Sequence, residues 1–231
     1  MKTNSNTYTI VYSTVIVVVV AFLLAFVFQA LKPAQDANVA LDKKKQILNA
    51  LNIRDLSDAE AAQKYNQVIT ADEIIDTNAR VINKGSKGGE KAGFKLTSQD
   101  AKNGKLAVFV CNVNGETKYV MPVYGMGLWG PISGFIALNA DKNTVYGAYF
   151  NHESETAGLG AEIKDNRAWQ EKFQNKKVSE GDGKIDLSVQ KKVTDPTTQV
   201  EAVTGATLTS NGVTNMLHDG LGAYVKFLNQ K

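Results

Sequence analysis

The sequence predicts an α+β protein in which one N-terminal transmembrane helix precedes a single domain with an antiparallel sheet and flanking helices. Three observations carry this prediction: an uncharged apolar run over residues 10–31, hairpin signals in the middle of the chain, and helical patterns on both sides of them. The 231 residues suffice for one anchor and one well-packed domain. We therefore place the anchor at 1–32 and the domain at 33–231.

The apolar run has the length of a membrane-crossing helix. About 20 apolar residues are needed to span a bilayer, and residues 10–31 carry no charge. The apolar core of a cleaved signal peptide is usually about 7–15 residues long, so the run favours an uncleaved anchor. Lysines stand on both sides of it, Lys2 before and Lys32 after. The positive-inside rule therefore leaves the orientation open.

Composition argues against several classes of function. The net charge is only +3, and Lys and Arg are interspersed with Asp and Glu, so no basic stripe indicates nucleic-acid binding. The single cysteine, Cys111, excludes an internal disulfide, and its apolar surroundings predict a buried structural thiol. His152, Glu153 and Glu155 lack a matching set of ligands elsewhere in the chain, so we predict no metal site.

Two helices are predicted between the anchor and the sheet. We interpret Pro33–Asp36 as a short linker. Apolar residues from Val39 to Leu51 then recur at helical spacing and predict a helix that ends near Asn52. Ser57 followed by Glu60 is a capping-box pattern, which predicts the start of another helix.

Two hairpins are predicted in the middle of the chain. Asn114–Gly115 separates apolar runs at 106–113 and 118–123, and this dipeptide favours a type I′ turn because both central positions need positive φ. A second pair of strands is predicted at 132–138 and 144–150.

The C-terminal third continues with mixed elements. A short helix is predicted around Trp169 and Phe173, and a strand over 185–193. Apolar residues from Val213 to Leu228 recur at helical spacing and predict a last helix, capped by Ser210 or Asn211.

The stretch before that helix, residues 201–210, is rich in hydroxyl groups and broken by glycine. Gly205 permits close approach of the backbone. Unpaired amides at a helix start, together with the helix dipole, favour an anion such as phosphate. The same features also fit a capping loop that binds nothing. Hydroxyl donors are supplied by Thr204, Thr207, Thr209 and Ser210.

This stretch resembles the flavin-acceptor motif Asp-x-x-[Ser/Thr]-Gly-Ala-Thr of bacterial membrane redox proteins. Thr207 stands in the acceptor place, and Glu201 stands where the motif has aspartate. The resemblance implies FMN bound covalently through its phosphate to Thr207 and attached from FAD by a separate flavin transferase. It also implies further cofactor contacts from the neighbouring residues Thr204, Gly205, Ala206, Leu208 and Thr209.

Two further segments resemble the same family. Residues 152–160 are similar to its Glu-Thr-Pro-Gly-Leu-Gly loop, with Ala157 in place of proline, and residues 124–131 are similar to its Gly-Leu-Trp turn before a strand. Without the resemblance, both are ordinary glycine turns. With it, they imply apolar walls for the isoalloxazine ring, ring-edge contacts and loop residues of the cofactor site. The walls are Leu128, Trp129 and Leu159, and the remaining contacts are Glu155, Thr156, Gly158 and Gly160.

The order and spacing of these segments resemble the C subunit of the bacterial sodium-translocating NADH:quinone reductases. The resemblance implies an FMN electron-carrier subunit, inactive alone, of a membrane complex that oxidises NADH, reduces ubiquinone or menaquinone and exports Na+. It further implies partner subunits, the bacterial inner membrane and a periplasmic domain. The alternatives are the G subunit of the related ferredoxin:NAD ion pump, a membrane-anchored FMN-binding sensor or regulatory module, and an anchored scaffold without cofactor.

Overall fold

The computed structural model describes residues 5–181 and 183–230. Two compact units divide the chain, one up to Lys43 and the other from Lys44 onwards. The first helix, α1, extends from Asn6 to Ala50. It contains a window of 18 residues with a mean hydropathy of 2.9, which makes it long and apolar enough to cross a membrane. The predicted domain boundary after residue 32 stays a prediction.

The predicted linker at Pro33–Asp36 is wrong, because α1 continues through Pro33. Proline removes one backbone hydrogen bond and crowds the preceding turn, which usually kinks or breaks a helix. Here strong helix formers such as Ala34, Gln35 and Ala37 follow it directly, so the helix is regained at once. The helix predicted to end near Asn52 is therefore the last part of α1.

The second helix, α2 (Asp58–Val68), begins where the capping box was predicted. The Glu60 carboxylate accepts hydrogen bonds from the Ser57 amide at 2.9 Å and from its hydroxyl at 2.6 Å. These bonds satisfy donors that a helix start would leave unpaired.

A six-stranded antiparallel sheet forms the centre of the second unit, in the order β2-β1-β3-β4-β5-β6. Asn114 (φ 54°) and Gly115 (φ 89°) make the tight turn between β3 and β4, as predicted. The other predicted hairpin, between β5 and β6, is also present. The strands are β1 (Ile69–Ile75), β2 (Val81–Asn83), β3 (Leu106–Val113), β4 (Glu116–Met126), β5 (Pro131–Leu138) and β6 (Val145–His152).

Short elements surround the sheet. A 3₁₀ turn (Gly93–Lys95) and α3 (Ser98–Lys102) precede β3, and α4 (Glu162–Asp165) and α5 (Arg167–Glu171) follow β6. The strand predicted over 185–193 is limited to β7 (Ser188–Gln190), which pairs in parallel with β8 (Gln199–Glu201). Two lysines and Pro196 follow β7, and such residues do not continue a buried strand.

The last long helix, α6 (Thr207–Gly222), begins earlier than predicted. Ala206 occupies the capping position. Ser210 is inside the helix, where its buried hydroxyl accepts a hydrogen bond from the Val203 amide at 3.2 Å. The predicted cap is therefore wrong, and Thr207 becomes the first helical residue. A final turn, α7 (Val225–Leu228), ends the fold.

The core lies between the sheet and α6. The helix packs on β4 through the buried side chains Val213, Met216, Leu217 and Leu221. Cys111 on β3 is 1% exposed, and burial raises the pKa of its thiol far above the ordinary value. The prediction of a buried structural cysteine is confirmed.

Candidate flavin site at the start of the last helix

One buried carboxylate joins the three segments that the sequence singled out. Glu155 is 7% exposed. Its Oε1 accepts a hydrogen bond from the Trp129 amide at 2.9 Å, and its Oε2 accepts one from the Thr209 hydroxyl at 2.6 Å. The turn at 127–130, the loop at 155–160 and the first turn of α6 therefore meet at a single side chain.

Two glycines make room for this carboxylate. A Cβ atom at Gly127 would lie 2.4 Å from Glu155 Oε1, and a Cβ atom at Gly160 would lie 2.3 Å from Glu155 Oε2. Both distances are far below a van der Waals contact, so any larger residue would displace Glu155. Gly127 and Gly160 are thus required by packing against Glu155.

The start of α6 has features that favour an anion, and its first residue, Thr207, is exposed. Its first intrahelical acceptor, the Ala206 carbonyl, accepts from the Ser210 amide at 2.9 Å. The amides of residues 207–209 precede that bond and have no partner within the helix. Gly205 (φ +75°) turns the chain into the helix, and Thr207 is exposed. Unpaired amides and the helix dipole together favour a phosphate here.

Large apolar side chains lie exposed on the same three segments. Single exposed apolar residues are ordinary, but these five lie on or next to segments that meet at Glu155. Four of the five belong to the predicted flavin contacts, and the fifth, Met126, lies within the predicted segment 124–131 but was not predicted to contact the flavin. The five are Met126, Leu128, Trp129, Leu159 and Leu208. We call them the apolar patch.

The other predicted residues divide between the surface and the interior. Thr204, Thr156 and Gly158 are exposed, and the Thr156 carbonyl accepts from the amides of Leu159 and Ala161 at 3.1 and 3.0 Å. Ala206 and Thr209 are buried. Whether each of these residues contacts a cofactor stays a prediction, but Glu155 and Thr209 are engaged with one another inside the protein.

His152 contacts the loop at 155–160, because its Nδ1 accepts a hydrogen bond from the Glu155 amide at 3.2 Å. Among residues 5–181 and 183–230, no group of three or more His, Cys, Asp and Glu side chains is placed to hold a metal ion.

The site suits a ligand with a phosphate at one end and a flat apolar ring at the other. Exposed Thr207 and the unpaired amides stand at the anionic end, and the apolar patch can cover a ring. Fold and site together define an FMN-binding domain. The sequence pattern of the family described as "FMN-binding domain" matches residues 127–222, which include all three segments.

Comparison with known proteins identifies the family more narrowly. The chain is 31% identical to the C subunit of the Na(+)-translocating NADH-quinone reductase of Pseudomonas aeruginosa, over 95% of this chain and 92% of that protein. It is likewise 31% identical to the C subunit from Neisseria meningitidis serogroup B, over 94% of this chain and 93% of that protein. The crystal structure of the C subunit from Parabacteroides distasonis superposes with a TM-score of 0.79 at 37% identity, covering 87% of this chain and 98% of that one.

The chain therefore belongs to the family of the C subunits of the Na(+)-translocating NADH-quinone reductases. The resemblance seen in the sequence is confirmed, and the family assignment favours it over the alternative of the G subunit. The predicted fold class is confirmed as well.

Proposed function

We propose that this chain is the FMN electron-carrier subunit of a Na+-translocating NADH:quinone reductase, with FMN joined through its phosphate to Thr207. One observation carries the proposal: Thr207 is an exposed residue at the first position of α6, beside amides that have no partner within the helix and on one of the segments that carry the apolar patch. Membership of the C subunit family supports the electron-carrier role. The complex oxidises NADH, reduces ubiquinone or menaquinone and exports Na+, and this chain has no activity alone.

Different residues contact the phosphate, the ring and the ring edge of the cofactor. The amides of Thr207, Leu208 and Thr209 hold the phosphate, while Thr204, Gly205 and Ala206 shape the approach to it. Leu128, Trp129, Leu159 and Leu208 would pack against the isoalloxazine ring. Thr156 and the amides of Gly158–Gly160 meet the ring edge.

FMN supplies the chemistry of accepting and passing on electrons, and the protein contributes orientation and electrostatics. A covalent link prevents loss of the cofactor between turnovers. The amides at the start of α6 hold the phosphate end in place. The exposed apolar patch would hold the ring at the protein surface, where a neighbouring protein of the complex can approach.

Attachment needs a second protein. A threonine hydroxyl is a weak nucleophile without a base, and a helix start supplies amides rather than a base. We assign the step to a flavin transferase that uses FAD. Thr207 Oγ1 attacks the phosphorus of the FMN half, the pyrophosphate bond breaks, AMP leaves, and the hydroxyl proton passes to a base of the transferase.

The proposed setting follows from α1 and from the family. Helix α1 crosses the bacterial inner membrane once and the domain faces the periplasm, where it contacts the other subunits of the complex. The membrane part of the proposal is supported by the length and hydropathy of α1.

The test is the presence of covalent flavin in the full-length chain, produced together with a flavin transferase. Fluorescence of the denatured band and intact mass should show one added FMN in the native chain and in Thr207→Ser, which keeps a hydroxyl. Thr207→Ala should show none, and the complex that contains it should lose NADH:quinone activity. Covalent FMN retained by Thr207→Ala, or absent from the native chain, would contradict the proposal.

A further inference from the structure

An open cavity of about 380 Å³ borders the stretch that leads to Thr207. One wall comes from α4 and α5, and the other comes from residues 201–204. The cavity shares Gly158 and Thr204 with the predicted flavin contacts, but no side chain of the apolar patch lines it. The complete lining is Gly158, Glu162, Asn166, Ala168, Trp169, Lys172, Glu201, Ala202, Val203 and Thr204.

Hydrogen bonds fix the walls of this cavity. Trp169 Nε1 donates to the Glu201 carbonyl at 2.7 Å, and Asn166 Oδ1 accepts from the Trp169 amide at 3.0 Å. In the wall formed by residues 201–204, the Val203 amide donates to Ser210 Oγ at 3.2 Å. These bonds fix residues 201–204 in one conformation, so the cavity is pre-formed. Pre-formed cavities of several hundred Å³ are typical of binding sites.

The charges of the lining favour a cation. Lys172 Nζ lies 3.0 Å from Glu201 Oε2, so these two charges neutralise one another. The Glu162 side chain is partly buried and forms no hydrogen bond or ion pair with any residue in 5–181 and 183–230. One uncompensated carboxylate thus remains in the wall. A carboxylate of this kind pairs best with a guanidinium or an ammonium group.

The position of the cavity indicates which protein carries that cation. Residues 201–204 line the cavity, and Thr207 follows three residues later at the start of α6. An enzyme that brings a phosphoryl group to the Thr207 hydroxyl approaches the start of α6, which the cavity-lining residues 201–204 precede by a few residues. We propose that the cavity receives an arginine or lysine side chain of the flavin transferase, with Glu162 as its counter-ion. This inference rests on the proposed attachment of FMN to Thr207.

Glu201 then acquires a different role from Glu162. Its carboxylate is paired with Lys172 and its carbonyl is held by Trp169, so it orders the wall and leaves recognition to Glu162. The glutamate that replaces the usual aspartate of the motif is thus compatible with attachment.

The test is the initial rate of FMN attachment as a function of chain concentration, with the full-length, flavin-free chain in detergent, purified transferase and FAD. Glu162→Lys should raise KM about tenfold or more while kcat changes less than about twofold, because a close charge pair across an interface is replaced by repulsion. Glu162→Gln, which preserves shape, should raise KM about threefold. Added NaCl should raise KM for the native chain and much less for Glu162→Gln.

Two further variants separate charge from shape. Glu180→Lys makes the same charge change at an exposed residue outside the cavity, and its KM should stay within about twofold of native. Ala168→Phe fills the cavity without a new charge and should also raise KM. Unfolding curves followed by tryptophan fluorescence establish that each variant is folded.

The outcomes distinguish this inference from the proposed function. A native KM for Glu162→Lys, or an equal rise for Glu180→Lys, would overturn the cavity proposal while attachment at Thr207 stands. Native attachment kinetics with an altered absorbance spectrum of the attached flavin in Ala168→Phe would place the flavin itself in the cavity and would also overturn it. A native chain that takes up no FMN overturns both proposals.

Discussion

The inner and the outer side of the candidate flavin site are built from the same three segments, yet the side chains of the inner side are buried and those of the outer side are exposed. On the inner side, Glu155 and Thr209 are 7% and 1% exposed and are hydrogen-bonded to one another. On the outer side, Trp129 is 67% exposed and Leu208 is 59% exposed. The polar groups of the inner side bond to one another, while the outer side leaves apolar side chains and Thr207 exposed.

The first turn of α6 shows the division residue by residue. Thr207 and Leu208 are exposed, whereas Thr209 and Ser210 are buried. A helix rotates by about 100° per residue, so consecutive positions can serve opposite sides. Substitutions on the inner side should therefore cost stability, and those on the outer side should change the flavin and leave stability intact.

The largest loss of stability is expected for Glu155→Ala. The substitution removes two hydrogen bonds to a carboxylate and leaves the Trp129 amide and the Thr209 hydroxyl without their acceptor. The Thr209 hydroxyl is buried and the Trp129 amide is partly buried. A buried unsatisfied group costs about 1–3 kcal/mol, so we expect a decrease of about 3 kcal/mol in the free energy of unfolding. Urea unfolding of the full-length chain in detergent, followed by tryptophan fluorescence, measures it.

The matched control is Glu153→Ala, two residues earlier in the same loop. Glu153 is exposed, so its loss should change the free energy of unfolding by less than about 0.5 kcal/mol. Equal effects of the two substitutions would show that Glu155 does not hold the segments together.

A smaller loss is expected for Gly160→Ala. The new methyl group would lie 2.3 Å from Glu155 Oε2 and 2.7 Å from Thr209 Oγ1, and such overpacking costs about 1–3 kcal/mol. Gly158→Ala is the comparison in the same loop. The methyl group added at Gly158 would meet open space, but the residue has a φ of +72°. Only the strain of a left-handed backbone then lowers the free energy of unfolding, by about 1 kcal/mol. Both values come from the same urea curves, and a larger effect at Gly158 would contradict the packing argument.

Thr209→Val should cost about 1 kcal/mol. The substitution keeps the shape of the side chain and removes one hydrogen bond to Glu155, which retains its bond to the Trp129 amide. Combined with Glu155→Ala it should add little, because both variants break the same contact. Additive effects in this double-mutant cycle would show that the two side chains act independently.

Much of the fold was predictable because its signals are local. Asn114–Gly115 fixes a turn by its own φ preferences, and an uncharged apolar run of sufficient length indicates the anchor without further context. The errors lie where the local signal of a residue is overridden by its neighbours in sequence or in space. Helix α1 continues through Pro33 because helix formers follow it, and Ser210 bonds to the Val203 amide inside α6 and does not cap the helix. Strand β7 pairs with β8 over only three residues, which is too short for a periodic pattern.

The site was predictable as a set of segments but not as a surface. Resemblance located the turn, the loop and the start of α6 without indicating which side chains face inward. Glu155 was expected among the cofactor contacts, and its buried bonds to Trp129 and Thr209 emerge only when the segments meet in space. Met126 and the cavity beside α4 and α5 carry no motif, because they are defined by exposure and shape alone.

The smallest effect on stability, and the sharpest test of the division, is expected for Trp129→Ala. Its indole is mostly exposed, and its backbone amide still donates to Glu155 after the substitution. The free energy of unfolding, followed through Trp169, should change by less than about 0.5 kcal/mol. The attached flavin should lose one aromatic wall, which shifts its absorbance spectrum and its midpoint potential. Loss of stability with an unchanged flavin would place Trp129 on the inner side, and the two sides of the site would then not be separable by substitution.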